Sequence, residues 1–345
     1  MRRPLYITGA GAVTAAGLNA AQTLAAIRAG LSAVDAWMTE EGETITVARV
    51  PARSRVRRNE GEWLANIAAR AINEAMRTGE SRTEATAILM TPPESFRQHT
   101  AYGDIRPSAF PGAIIAATGQ HFHRASRAVD GGAAASLGLL ERAINILETE
   151  GAEQVLLGGV DSLVNDTDLA RLARAGRLSG DDNAQGLVPG EGAVFVRLTR
   201  EPKAVDRVHV AIHGVGTAQE TDGVLSKRFS QGRAMLGALR DATSGPGPSE
   251  PDINFVVSNG NGERYNGWEQ LIVRQRFYRT SREILPTAYP AMTIGDVGAA
   301  GGAMALMLAA DSFVNDYAPG PTAICEVSSE GGLRAAAVMA GMTRR

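Results

Sequence analysis

Short apolar runs that end in glycine-rich turns recur along the chain, and they constrain the fold more than any other feature. Leu5–Thr8 runs into Gly9-Ala-Gly-Ala-Val-Thr-Ala-Ala-Gly17, Gln154–Leu157 into Gly158-Gly159, and Ile253–Val257 into Asn259-Gly-Asn-Gly262. Gly190 opens the strand-like run Glu191–Leu198, and Gly295–Gly302 opens an apolar helix at 303–308. Glycine suits sharp turns and close approaches, and the chain has 39 of them in 345 residues. Between the runs stand helical patterns. Asn19 is an N-cap with Gln22 three residues later, and Gly30 is a stop. Trp63–Met76 carries Leu64, Ile67, Ala71 and Ala75 on one stripe, and Ala133–Leu147, Arg233–Leu239 and Trp268–Phe277 also read as helices. Further strands are expected at Ala85–Met90, Arg124–Val129, His209–Gly214, Ala323–Val327 and Ala335–Met339. This alternation predicts α/β layers. Each half, parted near Arg207, delivers a strand, a glycine turn and a buried helix, as a duplication would, though without a strict period.

Composition removes several functions. With 35 basic and 37 acidic side chains there is no clustered basic excess, so no nucleic-acid partner is expected. The single Cys325 excludes a disulfide framework and reads as a small core residue in Thr322-Ala-Ile-Cys-Glu-Val. No apolar run reaches the roughly 20 residues of a membrane helix, and a cytoplasmic location is the default expectation. His99, His121 and His123 lie close together in sequence, but their spacing favours surface or packing roles over a metal site. Gly9-Ala-Gly-Ala-Val-Thr14 imitates a dinucleotide fingerprint, but Thr14 replaces its third glycine. No cofactor is implied.

Taken together, the turns resemble those of the β-ketoacyl synthases. Tyr6-Ile-Thr-Gly-Ala-Gly-Ala-Val-Thr is similar to that family's opening strand, and Val129-Asp-Gly-Gly-Ala-Ala-Ala-Ser-Leu137 to its nucleophile turn. Leu157-Gly-Gly-Val-Asp, Gly186-Leu-Val-Pro-Gly-Glu-Gly-Ala, Gly214-Val-Gly-Thr, Asn259-Gly-Asn-Gly, Ile294-Gly-Asp-Val-Gly-Ala-Ala-Gly and Gly331-Gly332 follow in the family's order. The resemblance implies a duplicated five-layer αβαβα thiolase fold, with an N-terminal half at 1–205 and a C-terminal half at 206–345, and an obligate dimer.

Decarboxylative condensation needs a thiolate at a helix N-terminus and two imidazoles to stabilise the enolate and the oxyanion. The resemblance puts Ala133 at the nucleophile position, Asn259 and Asp296 at the two histidines, and Glu263 at the last threonine of the first histidine's block. The family's lysine falls near Ala291, and its C-terminal phenylalanine gate falls on Glu330, where a charge disfavours an approaching acyl chain. Glu191 is expected to brace the floor through backbone amides. Ser136 lacks a histidine base in the motif and is expected to be inert. Asp296 and Glu263 are expected to fill a pocket rather than to act as acid and base.

A degenerate chain of this kind resembles a chain-length factor of type II polyketide or aryl-polyene systems. That implies a heterodimer with an active ketosynthase, acyl carrier protein reached through the complex, and an interface along Arg124–Val129 bearing Arg124 and Arg127. Alanine at the nucleophile position differs from the glutamine usual in aromatic polyketide systems and leaves polyene-type pathways open. The alternatives are a residual acyl-transferring, decarboxylating or hydrolysing enzyme, and a homodimeric scaffold.

Overall fold

Apolar runs become strands, and alanine-rich or amphipathic runs become helices. The structure, a computed structural model, describes residues 3–38, 42, 44–51, 59–77, 82–97, 105–181, 183–202, 208–226 and 228–343. In chain order the elements are β1 (Leu5–Thr14), α1 (Ala20–Arg28), β2 (Asp35–Met38), β3 (Thr44–Val47), α2 (Glu60–Ala75), β4 (Thr86–Thr91) and α3 (Phe110–Thr118). They continue with β5 (Arg127–Ala128), α4 (Gly132–Thr149), β6 (Gln154–Ser162), α5 (Asp166–Arg174), β7 (Glu191–Thr199) and β8 (Val208–Gln219). The rest are α6 (Arg233–Ala242), β9 (Phe255–Ser258), α7 (Arg264–Phe277), β10 (Thr287–Ala288), α8 (Ala291–Ile294), α9 (Gly301–Val314), β11 (Thr322–Ser328) and β12 (Leu333–Thr343).

Ten strands pair in the order β10-β9-β11-β12-β8-β1-β7-β6-β4-β5. The topology repeats. From its outer edge inward the first half runs β5-β4-β6-β7-β1 and the second β10-β9-β11-β12-β8, each with two parallel pairings followed by two antiparallel ones. The halves meet where β1 pairs antiparallel with β8. The expected division at 205/206, like Arg207, lies outside the described residues.

Three main cores hold five layers together, the middle one packed around the central helices on both sides. On β4, Ile88 and Met90 pack outward with α2 and α3 residues such as Leu64, Ile72, Phe110 and Ile114. Their neighbours Ala87 and Leu89 turn the other way, into a core shared by α4, α9 and strands of both halves, including Leu157, Val257, Cys325 and Met339. Beyond the second half-sheet, Val256, Ile324 and Ala336 pack with Leu239, Val273 and Phe277 of α6 and α7. Successive strand residues facing opposite layers produce this αβαβα stack. Cys325 is fully buried in the middle core, as expected.

Four local expectations need correction. β1 and β6 run straight through the glycines expected to be turns, because other backbones press on them. A Cβ at Gly11 would lie 2.0 Å from the Ala71 carbonyl oxygen, and one at Gly159 2.2 Å from that of Ala299. The expected strand Arg124–Val129 is reduced to Arg127–Ala128. The Asn19 cap is present, accepting from the Gln22 amide, but Gln22 returns its side chain to the Leu18 amide rather than to Asn19. Helices α3 and α5 and the β2–β3 hairpin were not marked by any sequence signal.

Candidate functional site

Helix α4 begins at a strained turn, with Gly131 at φ 136° and Gly132 at φ 66°, and Ala133 follows on the first turn. That end of α4 forms the floor of a cleft lined in part by Glu94, Arg97, Asn259, Asp296, Glu330 and Arg334. Ala133, Asn259, Asp296 and Glu330, far apart in sequence, are thus gathered in one place. Asn259 follows β9, Asp296 follows α8, and Glu330 sits in the turn between β11 and β12.

Each of them is already engaged. The Ala134 amide, which would otherwise point from the helix end into the cleft, donates to Ser329 Oγ at 2.8 Å, and that hydroxyl donates to the Gly131 carbonyl at 2.5 Å. Asn259 clasps the Ser328 backbone, its Nδ2 donating to the carbonyl at 2.8 Å and its Oδ1 accepting from the amide at 2.9 Å. Asn261 Nδ2 donates to both Asp296 (2.7 Å) and Glu263 (3.0 Å). Asp296 also accepts from the Gly298 amide at 2.9 Å, yet burial pushes its carboxyl above the ordinary value.

Charges of alternating sign surround the floor. Arg97 is buried between Asp161, at 2.7 Å, and Asp168, at 2.6 Å. Asp168 also accepts from Arg171 at 3.1 Å, and Arg171 reaches Glu330 at 2.5 Å. Glu330 is shared with Arg177, whose Nε donates to Glu263 at 2.6 Å. Burial alone would raise Asp168 and Glu330, but Arg97 acts on the first and Arg177 and Arg171 on the second, and both are held below the ordinary carboxylate range. Glu94 differs: burial pushes it up to about 7, although it accepts from the Gly331 amide at 2.9 Å.

Several expectations can now be placed. Glu191 is fully buried, accepting from the Val50 amide at 2.8 Å and the Ser162 hydroxyl at 3.2 Å, so it braces the strand beneath the cleft. Ser136 donates to the Ala133 carbonyl of its own helix and lies under Gly302 of α9. Glu263 and Asp296 are bridged by Asn261 rather than touching. Arg124 and Arg127 lie away from the cleft, exposed at the β5 edge of the sheet, with Arg127 donating to the Arg124 and Ser126 carbonyls. His121 is exposed, His123 accepts from the Ala125 amide, and His99 lies outside the described residues. Among the described residues no three His, Cys, Asp or Glu side chains are grouped to hold a metal, and no helix is long and apolar enough to cross a membrane.

Sequence reasoning missed Glu94, Arg97, Asp161, Arg177, Ser329 and Arg334. Only Asp161 carried a signal, as an acid closing the apolar run Val155–Val160. Among the described residues the cleft lining carries no thiol or imidazole; its hydroxyls belong to Ser328, Ser329 and Tyr265, with Ser329 held between the Ala134 amide and the Gly131 carbonyl, and Asp296, Glu330 and Glu94 are tied to arginines or amides.

Comparison with known proteins adds the following. Residues 75–204 match the family model of the β-ketoacyl synthase N-terminal domain. A 138-residue stretch, 36% of the chain, is 33% identical to polyketide synthase ThaG of Burkholderia thailandensis, and the chain spans 2% of that protein's length. The ketosynthase ApeO in complex with its chain length factor ApeC, from Xenorhabdus doucetiae, matches with TM-score 0.75 at 17% identity over 98% of each chain. The complex AntDE:AntF, a type II acyl-carrier protein with its ketosynthase, matches with TM-score 0.79 at 16% identity over 99% of this chain and 100% of that one. The ishigamide ketosynthase/chain length factor matches with TM-score 0.72 at 19% identity over 98% and 99%.

Proposed function

We propose that this chain, a ketosynthase in fold with a β-ketoacyl synthase N-terminal domain over residues 75–204, is a non-catalytic subunit of the chain-length-factor kind. The observation that carries the reading is the floor of the cleft. Where condensation needs a thiolate on free helix amides, there is a methyl group, and the Ala134 amide is already given to Ser329. The two positions that would need imidazoles hold Asn259, clasped to Ser328, and Asp296, tied to Asn261 and Gly298.

In this reading the chain occupies one half of a heterodimer with an active ketosynthase, completes that partner's acyl tunnel, and meets acyl carrier protein through the complex. A closed tunnel end makes each further two-carbon unit overpack, at roughly 1–3 kcal/mol. The β5 edge, where Arg127–Ala128 pairs among the described residues with β4 alone, supports an interface there. Arg124 and Arg127 would face their own copies across a two-fold axis, which disfavours a homodimer and favours an acidic or neutral partner. The test is turnover by the isolated chain with malonyl-carrier protein. The expected result is neither condensation nor decarboxylation above background. Turnover removed by Asn259→Ala or Asp296→Ala would contradict it.

A further inference from the structure

Outside the cleft lies a wider groove lined by Leu225, Arg228, Phe229 and Arg264. Groove and cleft share Arg177, Val224, Glu263 and Tyr265, so the Arg177–Glu263 ion pair is part of the wall between them. The turn between β11 and β12 is pinned at three consecutive residues, each time to the other half of the chain. Ser329 bonds the start of α4, Glu330 pairs with Arg171 of α5 and with Arg177, and the Gly331 amide donates to Glu94. Glu330 links Arg171 to Arg177 in the alternating series Asp161, Arg97, Asp168, Arg171, Glu330, Arg177, Glu263. Behind this turn Ala133 is only 4% exposed.

We propose that this charge series is a latch: it holds the turn 329–332 on α5 and keeps the floor at Ala133 closed to molecules in the outer groove. The proposal goes beyond the chain-length-factor reading and stands whether or not the chain pairs with a ketosynthase. The pairs are mostly out of solvent, so salt screens them weakly, and linked pairs in a low dielectric reinforce one another. Removing Glu330 cuts the series between Arg171 and Arg177. It leaves Arg97 with both aspartates, Arg171 with Asp168, and Arg177 with Glu263, so the rest of the network keeps its partners.

The test uses Ala133→Cys as a reporter thiol, with iodoacetamide as the probe and site-resolved mass spectrometry as the readout. Cys325 is fully buried and serves as the internal marker of global unfolding. With the latch intact, position 133 should react about 100-fold more slowly than in the denatured chain, as a site opened only by rare local excursions does. Adding Glu330→Gln should raise that rate about tenfold while Cys325 stays unmodified, and Glu250→Gln, which breaks the separate pair with Arg282, should leave it unchanged. Should the Glu330 variant fail to fold, Arg171→Gln, at a partly exposed position, should give at least a roughly threefold rise. The proposal is overturned if position 133 reacts equally with and without these changes, if it is already as reactive as in the denatured chain, or if it reacts only together with Cys325.

Discussion

The α4–α9 layer and the cleft at its rim are a few ångströms apart and are held together in opposite ways. The layer is made of small and aliphatic side chains at van der Waals distance: Gly302 of α9 fits over Ser136 and the Ala133 carbonyl, and Gly301 lies against Ala133 and Asn259. The cleft is made of charges, each kept by a partner from a distant part of the chain. The difference teaches what can change independently. The layer fixes backbone geometry and tolerates little, whereas the side chains at the rim can be exchanged as long as they remain paired.

Breaking the rim's pairing should have the largest effect. Arg97→Met removes the cation between Asp161 and Asp168, leaves Asp161 buried without a counter-charge, and should cost about 3–5 kcal/mol in a denaturant titration. A loss under about 1 kcal/mol would mean that the charges are not what holds the rim. On the layer side, Gly302→Val places a Cβ 2.1 Å from Ser136 Oγ and 2.2 Å from the Ala133 carbonyl oxygen. It should cost about 3 kcal/mol, read the same way, by forcing α9 off α4.

The comparison is sharpened by pH. Glu94 has a folded-state pKa of about 7 against 4.5 for the free group, so the folded chain holds this proton more tightly than the unfolded chain. Its contribution is full below the unfolded value and falls as pH rises from about 4.5 to about 7. Glu94→Gln should therefore remove a stability loss of about 2 kcal/mol between pH 5 and 7.5, measured as the difference between the two proteins. Asp168 and Glu330, held low, act in the opposite sense and only on the acid side: their stabilisation is lost as pH falls below the ordinary carboxylate range. An unchanged pH profile in the Glu94 variant would remove this carboxyl from the account.

Much of the fold was legible because it depends on local pattern. Asn19 caps α1 by accepting from the Gln22 amide three residues on, the apolar stripe of Trp63–Met76 lies within α2, and Ala133–Leu147 lies within α4. Glycine misled where its reason was not local. Gly158 and Gly159 look like a turn in sequence but sit inside β6, where the Val194 and Ala299 carbonyl oxygens leave no room for a Cβ. At the site, motif order led to Asn259, Asp296 and Glu330, and they do converge. Arg97 and Arg177 were invisible because their partners are 64 to 153 positions away, and no spacing rule links such residues. Ser329 was hidden likewise, 195 positions from the amide it accepts from.

The central claim, that this chain serves by its surface rather than by catalysis, is tested most directly by co-expressing it with an active ketosynthase and measuring the native mass of the product. The account predicts a stable 1:1 heterodimer that elongates acyl chains. Reversing Arg124 and Arg127 to glutamate at the exposed β5 edge should weaken that pairing and strip the partner of activity or length control, while leaving this chain folded. A chain that stays unpaired beside the ketosynthase, or a charge-reversed chain that pairs and supports synthesis as well as the wild type, would contradict it.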